Sequence, residues 1–371
     1  MKQSLYNVEN YNESGVYEAI CKIMANQDIA SDLKPEMKIV IKPNLIMGKN
    51  PNHPTTTHPA VIRAVAKWLR EQGCENITLA ESSGGLYDHN AMRNVYHTCQ
   101  VDTLSDVLTL NDNFEATTVF SPEGFKCHSF HLINPIVEAD YIINICKLKT
   151  HAMTMYSGGI KNLFGTIPGL EKPQMHYMFP NLHDFSNMLV ELSQVVAPNL
   201  TIVDAIDAME GNGPTGGDSH PLHMLLGARD HYTQDWFAAG LMKIEPTDVE
   251  MIKIAKEKGL IHEDEIELLG DPIPDNLTPF KIPDAANVDF SSHVPAFIRK
   301  PFLAVAKKLF RSYPAVDKAK CVGCAKCAES CPAHIIKIEN KKAIFTKKGC
   351  ISCFCCQEMC PMKAIYVKKR F

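Results

Sequence analysis

Nine of the 14 cysteines in this 371-residue chain fall between Cys321 and Cys360, and their spacing constrains the fold more than any other feature. The first run reads Cys321-Val-Gly-Cys324-Ala-Lys-Cys327-Ala-Glu-Ser-Cys331-Pro332. The second reads Cys350-Ile-Ser-Cys353-Phe-Cys355-Cys356-Gln-Glu-Met-Cys360-Pro361. Each is C-x2-C-x2-C-x3-C-P. Three thiolates at these intervals lie on a tight loop that wraps one face of a cubane. The fourth, followed by Pro, opens a short helix that points away and reaches the other cluster. The spacing therefore predicts one 4Fe-4S cluster on Cys321, Cys324, Cys327 and Cys360, and a second on Cys350, Cys353, Cys356 and Cys331. A zinc site needs no such crossed fourth ligand.

Between the runs, residues 335–339 and 342–345 read as a hairpin around Asn340-Lys341, and residues 364–367 as a returning strand. Over Ala315–Val367 the chain resembles the two-cluster bacterial ferredoxin family, with all eight ligands matched. That resemblance implies a small pseudo-symmetric α+β domain whose clusters exchange electrons quickly. Cys355 has no place in the pattern; it reads as a spare thiol, with a replacement ligand or a redox-active thiol as the other readings. Cys21, Cys74, Cys99, Cys127 and Cys146 are scattered, as buried small hydrophobes are.

Charge is as unevenly placed as cysteine. Residues 295–371 carry 17 Lys and Arg against 4 Asp and Glu, whereas the first 294 carry 21 against 38. Each oxidised cluster with its four thiolates contributes about −2, which cancels part of the basic excess. The simplest account is a basic module docked on an acidic body of the same chain; an acidic partner or a nucleic acid is the other. No helix-turn-helix or aromatic-basic surface motif favours nucleic acid.

With 45% apolar residues the chain buries a large core, which excludes disordered and collagenous classes. No run approaches 18 apolar residues, so no membrane span is expected. The first residues lack an apolar signal-peptide core, and a cytoplasmic location is expected. Residues 301–310 carry the pattern of a basic amphipathic helix, expected to join two domains rather than lie on a membrane.

Residues 1–290 read as an α/β body with a partly parallel sheet, 291–314 as a linker containing the amphipathic helix, and 315–371 as the ferredoxin-like domain. Strands are expected at Met37–Pro43, Asn76–Ala80, Asp140–Cys146 and Leu200–Asp204, and helices at Pro59–Gln72, Asp184–Val195 and Tyr232–Lys243. The Pro-rich stretch Asp271–Pro301 reads as a linker or wrapping segment.

Open α/β sheets bind ligands beyond the carboxyl ends of their strands. The segments expected there are Lys42-Pro43-Asn44, Glu81-Ser82-Ser83-Gly84-Gly85, Lys147-Leu148-Lys149-Thr150-His151 and the acidic, Gly-rich run from Asp204 to Pro214. Gly158 and Gly159 stand where a helix begins, so backbone N–H groups there would face a phosphate or carboxylate, with Lys161 and Asn162 close by. Together these predict an anion site on Lys42, Asn44, Lys147, Lys149, His151, Lys161 and Asn162. His58, His176, His183, His220 and His223 are further candidates as ligands or acid–base groups, as are Asp204, Asp207 and Glu210.

The same succession of strand-end motifs, followed by Gly159-Ile160-Lys161-Asn162-Leu163-Phe164-Gly165, resembles the domain-of-unknown-function family numbered 362 over about residues 5–290. In that family a C-terminal ferredoxin module is often fused, as here. By motif order the body is also distantly similar to the N-terminal domain of the nickel-pincer lactate racemase family. No His pair maps onto that family residue by residue, so neither nickel nor racemase activity is carried over.

Two functions follow. One is an iron–sulfur oxidoreductase, its body binding a small anionic substrate that exchanges electrons with the module. The other is a ferredoxin-like electron carrier or sensor, its body docking a redox partner protein without chemistry. Whether the body holds its own cofactor, and the oligomeric state, stay open. Protein purified without oxygen is expected to carry about eight irons per chain. Fewer after anaerobic reconstitution, measured by metal analysis and native mass spectrometry, would overturn the two-cluster assignment.

Overall fold

A computed structural model describes residues 1–283, 313–346 and 348–368. The body opens with β1 (Lys2–Asn7), α1 (Glu13–Asn26), β2 (Ile39–Lys42), α2 (Pro59–Glu71), β3 (Ile77–Leu79), α3 (His89–Thr98) and β4 (Thr109–Leu110). A side hairpin, β5 (Ala116–Phe120) and β6 (Ser129–Ile133), leads through α4 (Asn134–Val137) to β7 (Tyr141–His151), β8 (Met155–Ser157) and α5 (Gly159–Asn162). Next come α6 (Glu171–Met178), α7 (Leu182–Val196), β9 (Leu200–Glu210), β10 (Asp218–His220) and β11 (Met224–Ala228). The body closes with α8 (His231–Leu241), α9 (Glu250–Glu257) and β12 (Glu267–Gly270). Helix starts are set by side chains that accept orphan backbone N–H groups: Asn12, His58, Asp88, Asn181 and Asp230.

The sheet runs β12-β1-β11-β9-β7-β2-β3-β4, with β8 added to β7 and β10 to β9. β4, β3, β2, β7 and β9 are mutually parallel, while β11 is antiparallel to both β9 and β1. Side chains alternate between its faces. Ile39, Ile41, Ile143 and Ile145 pack on α1, α2 and α3; Val40, Ile142, Cys146 and Val203 pack on α7, α8 and α9. The chain moves outward from β2 to β3 and β4, then returns to the other side of β2 as β7. That reversal places a crevice at the carboxyl ends of β2 and β7, where open α/β sheets hold ligands.

β7 and β9 run on to His151 and Glu210, well past the expected ends at Cys146 and Asp204. Lys147, Lys149, His151, Asp207 and Glu210 are therefore strand residues, not residues of exit loops. Pairing continues because Lys147 lies opposite Asp204 and, after a bulge, Lys149 opposite Met209. All eleven residues of β7 are buried.

The start of α5 also differs from expectation. The N–H groups of Gly159 and Ile160 donate to the carboxylate of Asp235, at 2.6 and 2.9 Å, and the Tyr156 hydroxyl joins them at 2.9 Å. The anion anticipated there is thus a side chain of α8, which anchors α5. A Cβ at position 158 would lie 2.0 Å from the Tyr156 hydroxyl oxygen, so glycine is required.

The second module contains β13 (Tyr313–Val316), α10 (Lys326–Glu329), β14 (Ile336–Glu339), β15 (Lys342–Phe345), α11 (Cys355–Glu358) and β16 (Ile365–Lys368). β14 and β15 form the expected hairpin, with Asn340 and Lys341 both at positive φ (49° and 57°), as a two-residue type I′ turn requires. β16 returns to pair with β13. Residues 281–283 lie along the body, where Gly211 N–H donates to the Lys281 carbonyl. The amphipathic segment 301–310 lies outside the described residues.

His231, at the start of α8, is buried, and its Nε2 has no hydrogen-bond partner. Burial lowers its pKa from 6.5 to about 3. The unfolded chain then binds more protons between those values, so stability is lost as pH falls through that window. Replacing His231 with Phe should reduce the stability lost between pH 7 and pH 5 by about 2 kcal/mol, read from urea unfolding of the body.

Candidate functional site

Cys321, Cys324, Cys327 and Cys360 line one cavity of the second module, the fourth arriving from the other repeat. Burial raises the Cys327 thiol to about 11, and Cys324, Cys360 and Cys321 around it act in the same direction. Burial likewise raises Cys356, with Cys353, Cys331 and Cys350 among its neighbours. Four soft thiol ligands per set, each set completed from the opposite repeat, fit two 4Fe-4S clusters. Among the described residues, no trio of His, Cys, Asp or Glu converges on a single metal ion.

The body meets the second cysteine loop. Phe354 is buried against Ala152. The Thr215 hydroxyl donates to the Glu358 carbonyl at 3.0 Å, His53 Nε2 lies 3.1 Å from Lys363 Nζ, and a Cβ on Gly84 would come within 2.6 Å of the Met359 sulfur. Between them lies a cavity that is partly open to solvent. Its body wall includes Asn44, Glu81, Ser82, His151, Lys161, Asn162, Phe164, Lys172 and His176; its other wall is Ser330, Cys355, Glu358 and Met359.

Two ammonium groups border this space. Lys161 stands on α5 with its Nζ 4.7 Å from the Phe164 ring centre and 5.8 Å from that of Phe185, and among the described residues it has no ion-pair partner. Lys172, on α6, donates to the Ser82 hydroxyl and the Ser83 carbonyl at 3.0 Å each. Burial lowers both, Lys172 to about 7.

Two imidazoles join them. His151 accepts the Met153 and Thr154 N–H groups at Nδ1 (3.1 and 3.3 Å), so its proton sits on Nε2, 3.2 Å from Glu358 Oε1. Burial would raise Glu358, but His151, Lys161 and His176 outweigh it and hold the carboxyl at about 2. His176 stacks on Phe185 with ring centres 4.1 Å apart; its Nδ1 has no partner, and burial lowers it to about 3.

Of the sequence-derived anion site, Asn44, His151, Lys161 and Asn162 reach the cavity; Lys42, Lys147 and Lys149 do not line it. Lys42 donates to Glu81 and to the Pro43 carbonyl, each at 2.7 Å. Lys147 pairs with Asp204 at 3.0 Å and donates to the Tyr11 hydroxyl. Lys149 donates to Asn44 Oδ1 and to the Thr55 carbonyl. From Asn44 a buried chain of amides continues to Asn162 (2.8 Å) and Asn144 (2.7 Å). These lysines brace the cavity floor from behind. A Cβ at Gly165 would sit 2.1 Å from Glu81 Oε1, so glycine there lets the backbone pass over the Lys42–Glu81 pair.

The other candidates disperse. His58 caps α2 and stacks on Tyr11, His183 faces Glu250, His220 faces Glu210, and His223 meets the Glu9 carbonyl. Asp204, Asp207 and Glu210 are spent on Lys147, Ser219 and Lys281 respectively. Lys172 and Glu358 went unnoticed in the sequence: the first lies within an irregular loop-to-helix stretch, and the second reads as filler between ligands.

An α/β body and a module with two crossed thiol sets define an iron–sulfur electron-transfer protein. Residues 39–240, just over half of the chain, match the family described as Domain of unknown function (DUF362), and residues 313–361 match a 4Fe-4S dicluster domain. The protein belongs to the DUF362 family, in a form that carries this dicluster module. It is 26% identical over 287 residues to Thylakoid-associated protein sll1697 of Synechocystis sp. (strain ATCC 27184 / PCC 6803 / Kazusa), covering 72% of this chain and 87% of that relative. Among solved structures it is similar to the lactate racemase apoprotein from Thermoanaerobacterium thermosaccharolyticum. The TM-score is 0.35 with 14% identity, over 54% of this chain and 49% of that one. Among the described residues no helix is long and apolar enough to cross a membrane.

Replacing Glu81 with Gln strands the ammonium of Lys42 in a fully buried position. It should cost about 3–5 kcal/mol in urea unfolding. The double variant Lys42→Met/Glu81→Leu should recover most of that loss.

Proposed function

We propose that the protein is an iron–sulfur oxidoreductase whose substrate is a small anion bound between the body and the second cysteine loop. The observation that carries this reading is the shared cavity. It lies at the strand-order reversal of the sheet, Lys161 enters it with no carboxylate at ion-pair distance among the described residues, and its far wall comes from the segment that carries Cys353 and Cys356. The clusters supply single electrons when bound.

The chain's own residues do the rest. Lys161 and Lys172 attract and orient the anion, and the Phe164 and Phe185 rings keep water away from Lys161. The buried amides of Asn44 and Asn162 present fixed dipoles at the cavity floor. His151 holds a proton on Nε2 at the wall where electrons arrive, positioned by two backbone N–H groups and Glu358.

The test is calorimetric titration of the cluster-loaded protein with a panel of small carboxylates and inorganic phosphate, paired with reoxidation of the reduced clusters followed by absorbance. Lys161→Gln should weaken the binding anion about tenfold, about 1.4 kcal/mol, with iron content unchanged. Unchanged binding in both Lys161→Gln and Lys172→Gln would overturn the site. Reduced protein that no anion reoxidises faster than buffer does would favour the carrier or sensor with a non-catalytic docking body.

A further inference from the structure

The two cysteine loops provide an internal control. Each helix follows a residue in the left-handed region, Ala325 (φ 65°) before α10 and Phe354 (φ 61°) before α11, and the shared cysteine spacing aligns the repeats position by position. Their surroundings do not match. Val322, Cys324, Lys326 and Glu329 are exposed on the first loop; their counterparts Ile351, Cys353, Cys355 and Glu358 are half-buried or buried on the second. Among the described residues, the body covers one loop and not the other.

The open loop is both apolar and basic. Val322 and Met362 line the cavity of the first thiol set, yet are 55% and 46% exposed. Lys318, Lys320 and Lys326 are exposed in the same segment, Lys341 backs onto Gly323, and Lys342 donates to the Cys321 carbonyl. A basic module docked on its own acidic body would spend such lysines on body carboxylates. The interface is built otherwise, from Phe354, Glu358, Met359 and a contact of Lys363 with His53. Among the described residues, no ion pair joins a lysine of the second module to a carboxylate of the body. The positive surface is left over.

We propose that the first cysteine loop is the docking port for an external, acidic electron-carrier protein. An apolar patch of Val322 and Met362 rimmed by lysines matches a carrier with a carboxylate-rimmed apolar face, and opposite charge speeds encounter. In the exchange one electron passes between carrier and module; one partner is oxidised, the other reduced, and no bond forms or breaks. This inference uses the module alone and does not depend on the anion cavity.

The test is stopped-flow electron exchange between the intact two-cluster protein and a flavodoxin, an acidic carrier, run in whichever direction is downhill and read by absorbance. The second-order rate should fall as added salt shortens the Debye length from about 30 Å to about 8 Å. The triple variant Lys318→Glu/Lys320→Glu/Lys326→Glu should exchange about tenfold more slowly. A remote control on exposed body residues, Lys34→Glu/Lys243→Glu/Lys253→Glu, makes the same change in net charge and should stay within about twofold. Iron content and exchange with a small neutral dye confirm that each variant is loaded and intact. A salt-independent rate, equal slowing in both triple variants, or a basic cytochrome exchanging as fast as the flavodoxin would overturn the port. Loss of exchange on adding equimolar short duplex DNA would assign the lysines to nucleic acid and overturn it as well.

Discussion

Lysines buried at the carboxyl ends of parallel strands are the constraint on which the site depends. Lys42, Lys147 and Lys149 are each at most 2% exposed. A buried ammonium is costly unless its donors are satisfied, so each dictates what stands beside it. Lys42 requires Glu81, which fixes the end of β3 and leaves room only for glycine at position 165. Lys147 requires Asp204, which keeps β7 and β9 paired beyond their apolar stretch. Lys149 holds Asn44, and Asn44 holds Asn162 on α5. Asp235 anchors α5 from the opposite side. The placement of Lys161 follows from these contacts.

This explains what the sequence revealed and what it hid. The cysteine pattern was fully legible, because cluster ligation depends on short local spacing that the chain carries in plain order. The apolar cores of β2, β3, β7 and β9 were legible for the same reason, since alternation is local. The continuation of β7 through Lys147, Lys149 and His151 was not. Polar residues normally mark the end of a strand, and their partners lie 57 or more residues away in Asp204 or on the opposite side of the crevice in Asn44 and Thr55. Gly158 and Gly159 do stand at a helix start, but its anion is Asp235, 76 residues beyond Gly159. Glu358 was invisible as a site residue because its meaning comes from docking against His151.

The second module shows how an internal repeat acquires two surroundings. Both halves keep the ligand spacing that the clusters demand, and both keep the left-handed residue before the helix. The positions between ligands are released from that demand and diverge. Lys326 faces solvent where Cys355 faces the body, and Ala325 stands where Phe354 fills a contact with Ala152. Cluster chemistry is conserved within the pair while the surroundings are specialised.

The composite wall of the cavity carries a consequence for a protein that meets oxygen. Cys355, Glu358 and Met359 are held in place by a loop whose conformation depends on the thiol ligands on either side. If oxidative damage dismantled that loop, the enclosure around Lys161 would open with it. A molecule that had lost the means to pass electrons would then also lose the cavity proposed to hold an anion. On the proposed anion site, a damaged copy would release its ligand rather than hold it.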